Sequence, residues 1–451
     1  MSLYARSSES DPAEEQAAGE QAGSRNPFRV LREHRNFRVF WTGQTLSLIG
    51  TWMQTMAVGW LSLELSNSAF IVGLVASMGA VPIVLFSMHA GALVDLGNKL
   101  CIVRITQALF LLQAAVLFAV TVTGHVSIAF LVVLSLVQGC LSAVEIPARQ
   151  SLIIQLVGRN DLQPAIAINS SGFNLARVLG PAVGGIVIGK LGIAWCFGLN
   201  AVSFGWVLFG LSRIRLEGTV NSGSEGAEAK LRMPTSGSEG GGRGLRTILR
   251  QTTDGAVEGL RHLMQPGSVR ELLILVTIGA VLGGPFISIM PVVARDQLGL
   301  GAEGYGALLA MLGIGGLIGA LLVAGPVSHR AHKGPVLIGA ALMFPVLLLA
   351  FAYTQVLWLA YVLLLLTGGA MIMFNALSNG VLQLLVEERF RGRLMAFYSL
   401  VFVGLSQAVG AFALGALARA ITASHAIGAS AVVLAGASAV AWRRGRFWRE
   451  I

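Results

Sequence analysis

Apolar residues run through this chain in blocks of about twenty, each long enough to cross the roughly 30 Å of bilayer hydrocarbon as an α-helix. Twelve blocks are read near residues 36–64, 68–94, 100–122, 126–152, 164–189, 193–212, 270–294, 303–325, 335–353, 355–384, 394–418 and 424–441. Short polar turns separate most of them, and one long polar stretch divides the first six from the last six. The predicted organisation is a disordered tail (1–35), a six-helix bundle (36–212), a linker (213–269), a second six-helix bundle (270–441) and a basic tail (442–451). Residues 221–244 of the linker are rich in Ser and Gly and read as flexible. After them Leu245, Leu249, Val257, Leu260 and Met264 recur near helical spacing, which predicts an amphipathic helix on the membrane surface over 245–264.

The two sets of six echo each other. Gly91-x3-Asp95-x3-Lys99 follows the second span, and Gly325-x3-His329-x3-Lys333 follows the eighth. The loop from Leu156-Val157 to Asn169-Ser170 matches that from Leu385-Val386 to Tyr398-Ser399, and both alignments set the halves about 230 residues apart. A repeat of six helices about an axis along the membrane normal is one known transporter architecture.

Polar residues inside the spans fall in stripes. Gln138, Ser142, Glu145 and Arg149 share one face of span four; Gln44, Ser47, Thr51 and Gln54 share one of span one. Span five carries Ser170, Asn174 and Arg177, and span ten carries Asn375, Asn379 and Gln383. Such stripes line either a helix interface or a wet path; four of them together favour a central translocation cavity. Arg177 is expected to face Glu145 and Arg149. An arginine at the membrane centre costs about 2.5–3.5 kcal/mol on insertion scales, so it should face protein or water. Glu145 is the one carboxylate placed well inside a span. Two roles fit it: a proton-coupling group, or an ion-pair clamp with Arg149 or Arg177. Pro147, between Glu145 and Arg149, predicts a kink. Trp52, Met53 and Trp60 read as packing or interfacial anchors, and His89 as a packed polar residue.

Composition sharpens this picture. Of 451 residues 55% are hydrophobic and 12% charged, about half the charge of an ordinary soluble domain. The chain is an all-α polytopic membrane protein. Its 56 glycines suit close helix approach. The formal charge of +10 lies mostly in the tails, the linker and one set of alternating loops, whereas the opposite loops hold only Lys190, Arg295 and Arg419. That is the positive-inside pattern: both termini cytoplasmic, a lipid partner, no nucleic acid. No apolar h-region precedes the first span, so no cleavable signal peptide is expected. Cys101, Cys140 and Cys196 have no paired spacing and read as buried reduced thiols. His329 and His332 lack a third ligand, so no metal site is expected. No cofactor motif and no phosphate-binding loop of the GxxxxGK type occur. An enzyme would need a nucleophile–base set, an acidic dyad or a metal cluster within the spans, and none is read.

These features together resemble the major facilitator superfamily, in particular its drug and siderophore exporter branch. The resemblance runs from about Asn36 to Ala418. It rests on Asn36-Phe37-Arg38, Ser47 to Gln54, Ile146-Pro147-Ala148-Arg149-Gln150, residues 169–185, Asn200 to Phe204 and Arg391-Gly392-Arg393-Leu394-Met395. It implies the major facilitator fold, twelve transmembrane helices as two pseudo-symmetric bundles. It also implies a loop motif (Gly91, Asp95, Lys99) that latches the halves, here with Leu96 and Asn98 where the family has arginine and a glycine or acid. In span five it implies an antiporter motif (Gly180, Pro181, Gly184, Gly185) that lets the helix pack and tilt. Gln138-Gly139 remain of a proton-antiporter motif whose arginine position is Ser135. The expected activity is monomeric, alternating-access export of a small amphipathic drug, siderophore or metabolite across a bacterial inner membrane, in exchange for protons. Glu145 carries or relays the proton, and Arg177 and Arg149 tune it or bind an anionic group. An importer, a uniporter, a lipid flippase, and a receptor or scaffold remain as other readings.

Overall fold

The computed structural model describes residues 29–158, 160–214, 264–265, 267–327 and 333–444, except the side chains at 87, 88, 92, 93, 95, 96, 389, 396, 403 and 444. The predicted surface helix at 245–264, all but its last residue, and the pair His329 and His332 lie outside the described residues, as do 1–28 of the tail and 445–451.

Six helices make up the first half: α1 (Arg35–Ser66), α2 (Ala69–Leu96), α3 (Lys99–Val122), α4 (Ile128–Val157), α5 (Leu162–Leu191) and α6 (Ala194–Ser212). The second half holds α7 (from Ser268–Ile278, continuing to Gln297), α8 (Ala302–Leu322, continuing to Val327), α9 (Gly334–Tyr353), α10 (Leu357–Leu385), α11 (Glu388–Ser399, continuing to Ile421) and α12 (Ala423–Arg444). A short helical turn, Arg29–Glu33, precedes α1 inside the stretch read as a tail. Eleven of the twelve helices are long and apolar enough to cross a membrane by composition alone. The twelfth, α1, spans 32 residues; it carries Arg35, Arg38, Glu64 and the polar stripe, and its low hydropathy follows from them.

Local chemistry sets the ends. Asn98 caps α3 by accepting from the Cys101 N–H at 3.1 Å, which gives the family-discordant residue a local role. Arg104 closes α6 by donating to the Leu211 carbonyl at 2.6 Å and the Ile214 carbonyl at 3.2 Å. Near the linker end, His34 meets Asp161 at 2.9 Å and Trp41 Nε1 donates to the Ile168 carbonyl at 3.0 Å, tying the start of α1 to α5.

Within the halves α2 packs on α4, α3 on α6, and α1 on α5 and α6; α8 packs on α10, and α9 on α10 and α12. Two helix pairs make the main contacts between the halves, α5 with α8 and α2 with α11. A Cβ on Gly306 of α8 would lie 2.5 Å from the Pro181 carbonyl and 3.0 Å from Gly185 Cα; one on Gly73 of α2 would lie 2.5 Å from the Ala411 carbonyl and 3.0 Å from Gly415 Cα. Gly306 follows Gly73, and Gly415 follows Gly185, at the interval separating the repeated loop motifs, so the crossings are symmetry mates. Arg295 of α7 donates to Asn67 Oδ1 at 2.7 Å, and Trp60 of α1 stacks on Tyr305 of α8. The close glycine approaches between halves, among the described residues, lie from mid-helix to the end opposite the linker. The two halves meet closely toward that far end.

Cys196 is buried, but Cys101 and Cys140 are exposed, against expectation. An apolar span has an outer face too, which in a membrane meets lipid, so apolar neighbours in sequence do not imply burial.

Candidate translocation site

Four helices of the first half converge on Gln54, near the middle of α1 and 1% exposed. Its Nε2 donates to Gln113 Oε1 of α3 at 3.1 Å and Gln138 Oε1 of α4 at 3.3 Å. Its Oε1 accepts from Asn200 Nδ2 of α6 at 2.8 Å, and Ser203 Oγ donates to Asn200 Oδ1 at 3.1 Å. Gly50, one turn earlier on α1, makes this possible: a Cβ there would collide with Asn200 Oδ1 and come within 2.8 Å of Ser203 Oγ. An amide in hydrocarbon has no water to bond, and carrying both donor and acceptor it is satisfied by another amide. The cluster is uncharged and holds four helices in register.

A second group lies on α4 toward the linker end. Glu145 Oε1 stands 3.1 Å from Arg149 Nε and accepts from Gln107 Nε2 of α3 at 3.4 Å. Arg149 Nε is otherwise without a hydrogen-bond partner among the described residues, and its contact with Glu145 has the distance of an ion pair without the alignment of a hydrogen bond. Pro147 lies between the two residues, inside the helix. Both side chains are largely buried, so each charge needs the other.

Arg177 stands apart from both groups, near the middle of the 30-residue α5. No ion pair or hydrogen bond joins it to any described residue, and Glu145 pairs with Arg149 instead. Its guanidinium reaches across the boundary between halves: a Cβ on Gly316 of α8 would collide with Arg177 Nη2 and lie 3.1 Å from Ile372 of α10. Pro181 has no N–H to give the Arg177 carbonyl one turn back, and Gly313 of α8 lies against that carbonyl. One turn before, Phe173 meets Trp52 edge to face, ring centroids 5.9 Å apart.

The other expected site residues fall as follows. Gln44 is buried, with Oε1 unpartnered among the described residues. Thr51 Oγ1 donates to the Ser47 carbonyl and Asn174 Nδ2 to the Ser170 carbonyl, both at 2.9 Å. Ser142 is half-buried. On α10 the Asn375 carbonyl accepts from Tyr398 of α11 at 2.9 Å, and Asn379 accepts from Gln383. Gly180 and Gly184 press on α1, where a Cβ would meet the Ile49 carbonyl at 2.8 Å and Met56 Sδ at 3.0 Å, respectively. Pro181 and Gly185 face α8. Of the loop motif, Gly91 has open space around it, Lys99 opens α3, and the Asp95 side chain lies outside the described residues. Gln107, Gln113 and Tyr398 were missed. Gln107 and Gln113, each set in an apolar run of α3, were the available signal.

Two cavities complete the geometry. One of about 420 Å³ lies at the linker end between α8, α10 and α11, lined by Val327, Lys333, Gln383 and Arg391 among others. The other, about 1020 Å³ at the far end, is walled by both halves, with Asn67 and Phe70 on one side and Asp296, Arg419 and His425 on the other.

The family described as transmembrane secretion effectors matches residues 24–227 and 245–446. The multidrug efflux pump Tap of Mycolicibacterium fortuitum is 27% identical over 353 residues, 77% of this chain and 80% of that protein. The enterobactin exporter EntS of Shigella flexneri is 23% identical over 87% of each chain. The staphyloferrin A transporter of Staphylococcus aureus (strain NCTC 8325 / PS 47) is 30% identical over 152 residues, 34% of this chain and 38% of that one. Among solved structures, a bacterial homologue of the human lysosomal transporter Spinster superimposes with a TM-score of 0.67 at 14% identity, covering 92% of this chain and 98% of the other. The D-xylose–proton symporter gives 0.66 at 13%, covering 93% and 100%. With two six-helix halves joined by symmetry-related crossings and a family match over nearly its whole length, the chain belongs to the transmembrane secretion effectors of the major facilitator superfamily, which are transporters and not enzymes.

Proposed function

We propose that this chain exports small amphipathic compounds of the drug, siderophore or metabolite class, as a monomer in a bacterial inner membrane. Its two bundles, 36–212 and 270–441, rock about the far end in alternating access, and protons run inward in exchange. The observation that carries this reading is the pair of symmetry-related crossings, α5 on α8 and α2 on α11, each built on facing glycines at the far end. Glycine pairs let helices slide and part with little side-chain rearrangement. The linker end, with its basic loops and both termini, faces the cytoplasm. The far end, where the glycine crossings join the halves, then faces out, and substrate enters from the cytoplasm or inner leaflet. The names of Tap and EntS, relatives matched over most of their lengths, support the direction.

Glu145 is the proton-coupling candidate. Protonation neutralises it, releases Arg149 from the ion pair and leaves Gln107 a weaker acceptor, which loosens α3 from α4 toward the linker end. Gln44, Thr51, Gln54, Gln138, Ser142, Arg149, Asn174, Arg177, Asn375 and Asn379 border or support the path. Gly91, Asp95 and Lys99, with Gly180, Pro181, Gly184 and Gly185, set the inward–outward equilibrium.

The test is ethidium-driven proton release from proteoliposomes, with flux direction read in everted membrane vesicles. Wild type is expected to accumulate ethidium in everted vesicles and to release protons as it does so. Glu145→Gln should cut proton release at least tenfold. Full coupling in that variant would remove Glu145 from the mechanism, and flux only in the opposite direction would make the chain an importer.

A further inference from the structure

We infer that Arg177, at the meeting of α5, α8 and α10, is the subsite that binds the acidic group of an amphipathic cargo bearing a carboxylate next to an aromatic or apolar body. The inference rests on the exporter reading above and names the cargo class of the same path.

Sequence alone left Arg149 and Arg177 as equal candidates for an anion. The structure separates them. Arg149 lies 3.1 Å from Glu145, its charge already met by a carboxylate. Arg177 has no carboxylate, hydroxyl or carbonyl partner among the described residues. A cation near the middle of a membrane helix is retained where it faces water or gains a partner during the working cycle.

The surroundings are shaped to leave its guanidinium free. Gly313 and Gly316 strip the facing side of α8, and any side chain at 316 would collide with Nη2. Ile372 of α10 forms the other wall. None of these can hydrogen-bond through a side chain, so the planar fork of N–H donors is unspent and matches a carboxylate in bidentate fashion. One turn toward the linker end the Trp52–Phe173 pair supplies an aromatic ledge, with Phe173 exposed. A cation with an aromatic ledge one helical turn away fits an aromatic acid: charge on Arg177, ring against Phe173. The residue sits on the first half and its wall on the second, so a bound anion touches both and is released when the halves change their contact.

The test uses a matched pair, 1-naphthaleneacetate and 1-naphthaleneacetamide, which have the same ring and differ in the charged group. Binding to the purified full chain in detergent is measured by calorimetry, and transport of both compounds and of ethidium is measured in everted vesicles. Wild type should bind the acid about tenfold or more tighter than the amide, the scale of one charge-assisted bidentate contact. Arg177→Gln should bring that ratio to about one, Arg177→Lys should keep part of it, and Gly316→Ala should reduce it with the arginine still present. Melting midpoints and elution profiles of the three variants identify any that fails to fold, and the remaining variants then decide. Equal binding of acid and amide by wild type that still moves ethidium overturns the anion subsite and leaves the exporter reading standing. An unchanged ratio in folded Arg177→Gln overturns the assignment to this residue. Wild type that moves none of the three compounds overturns the exporter reading and this inference with it.

Discussion

The two halves share a fold and differ in what holds them. In the first half, among the described residues, every helix is α-helical from end to end, and two buried side-chain networks cross-link the helices: Gln54 with Gln113, Gln138 and Asn200, and Glu145 with Arg149 and Gln107. In the second half α7, α8 and α11 pass through π-helical turns at Gly279–Gly283, Val293–Gln297, Val323–Val327 and Leu400–Ala411, and α7 has a 3-10 turn at Pro285–Ile287. Each interrupted helix has an uninterrupted symmetry mate: α1 for α7, α2 for α8, α5 for α11. Polar links across the interrupted helices are scattered and largely to backbone, as in Ser406 Oγ to the Ala280 carbonyl at 2.6 Å and Gln297 Nε2 to the Ala352 carbonyl at 3.1 Å, with Ser288 Oγ to Gln407 at 2.9 Å joining side chains.

The physical causes are legible in composition. Gly279, Gly283, Gly284, Pro285 and Pro291 crowd α7, and each proline withholds an N–H from the helical ladder. Wide turns at such positions mark where a helix bends at low cost. The contrast in helix continuity predicts a rigid first half and a bending second half. The candidate charges, Glu145, Arg149 and Arg177, all lie on the first half.

The largest effect should come from helix contacts built on bare backbone, and α8 with α10 is such a pair. A Cβ on Gly315 of α8 would run into the Leu365 carbonyl of α10, and one on Gly368 of α10 into the Leu312 carbonyl of α8. Backbone cannot rotate away as a side chain does. Gly315→Ala should therefore cost about 3 kcal/mol or more, seen as loss of monodisperse protein by size exclusion and a fallen melting midpoint. A variant that elutes and melts like wild type would show that α8 and α10 are not locked together, and the bending role would have to extend to that pair.

Next in size is the amide hub. Gln54→Leu removes three hydrogen bonds at once and leaves Asn200, Gln113 and Gln138 to find new partners in a nearly dry interior. Interhelical hydrogen bonds in membranes average about 0.6 kcal/mol each, and an unsatisfied buried amide adds more, so about 2 kcal/mol is expected. Gln407→Leu, which cuts one link between α7 and α11, should cost about 0.5 kcal/mol. Unfolding in mixed micelles measures both. Equal costs would erase the contrast between a cross-linked half and a pliable one.

Much of this was readable before any coordinates. Apolar blocks place all twelve helices within a few residues, because a span has no other way to satisfy its backbone in lipid. Gln54 and Glu145 were visible as odd polar residues in apolar runs. Their partners were less so: a polar stripe is a property of one helix, while Gln107, Gln113 and Asn200 belong to helices whose faces meet only after the bundle has packed. The choice between Arg149 and Arg177 was closed to sequence for the same reason, since both are arginines within hydrocarbon and only distance separates the paired one from the free one. The exposed Cys101 and Cys140 show the converse limit: hydropathy reports that a residue lies in a span and is silent on which side of the helix meets lipid.

The smallest effect is also the most direct measure of where the molecule bends. A π-helical turn and its neighbours hold weaker, less aligned backbone hydrogen bonds than an α-helix, and local opening follows hydrogen-bond strength and packing. Amides of 400–411 in α11 and 279–283 in α7 should exchange with deuterium about tenfold faster than those at matching depth in α5 and α1, a difference of about 1.4 kcal/mol in opening. Comparing symmetry mates at equal depth removes the influence of detergent access, which acts on both alike. Adding a cargo that stabilises one conformation should narrow the gap in α7 and α11 and leave α1 and α5 unmoved. Slower exchange in the second half would reverse the assignment: the interruptions would then be fixed bends that shape the bundle, and the motion would fall on the glycine crossings alone.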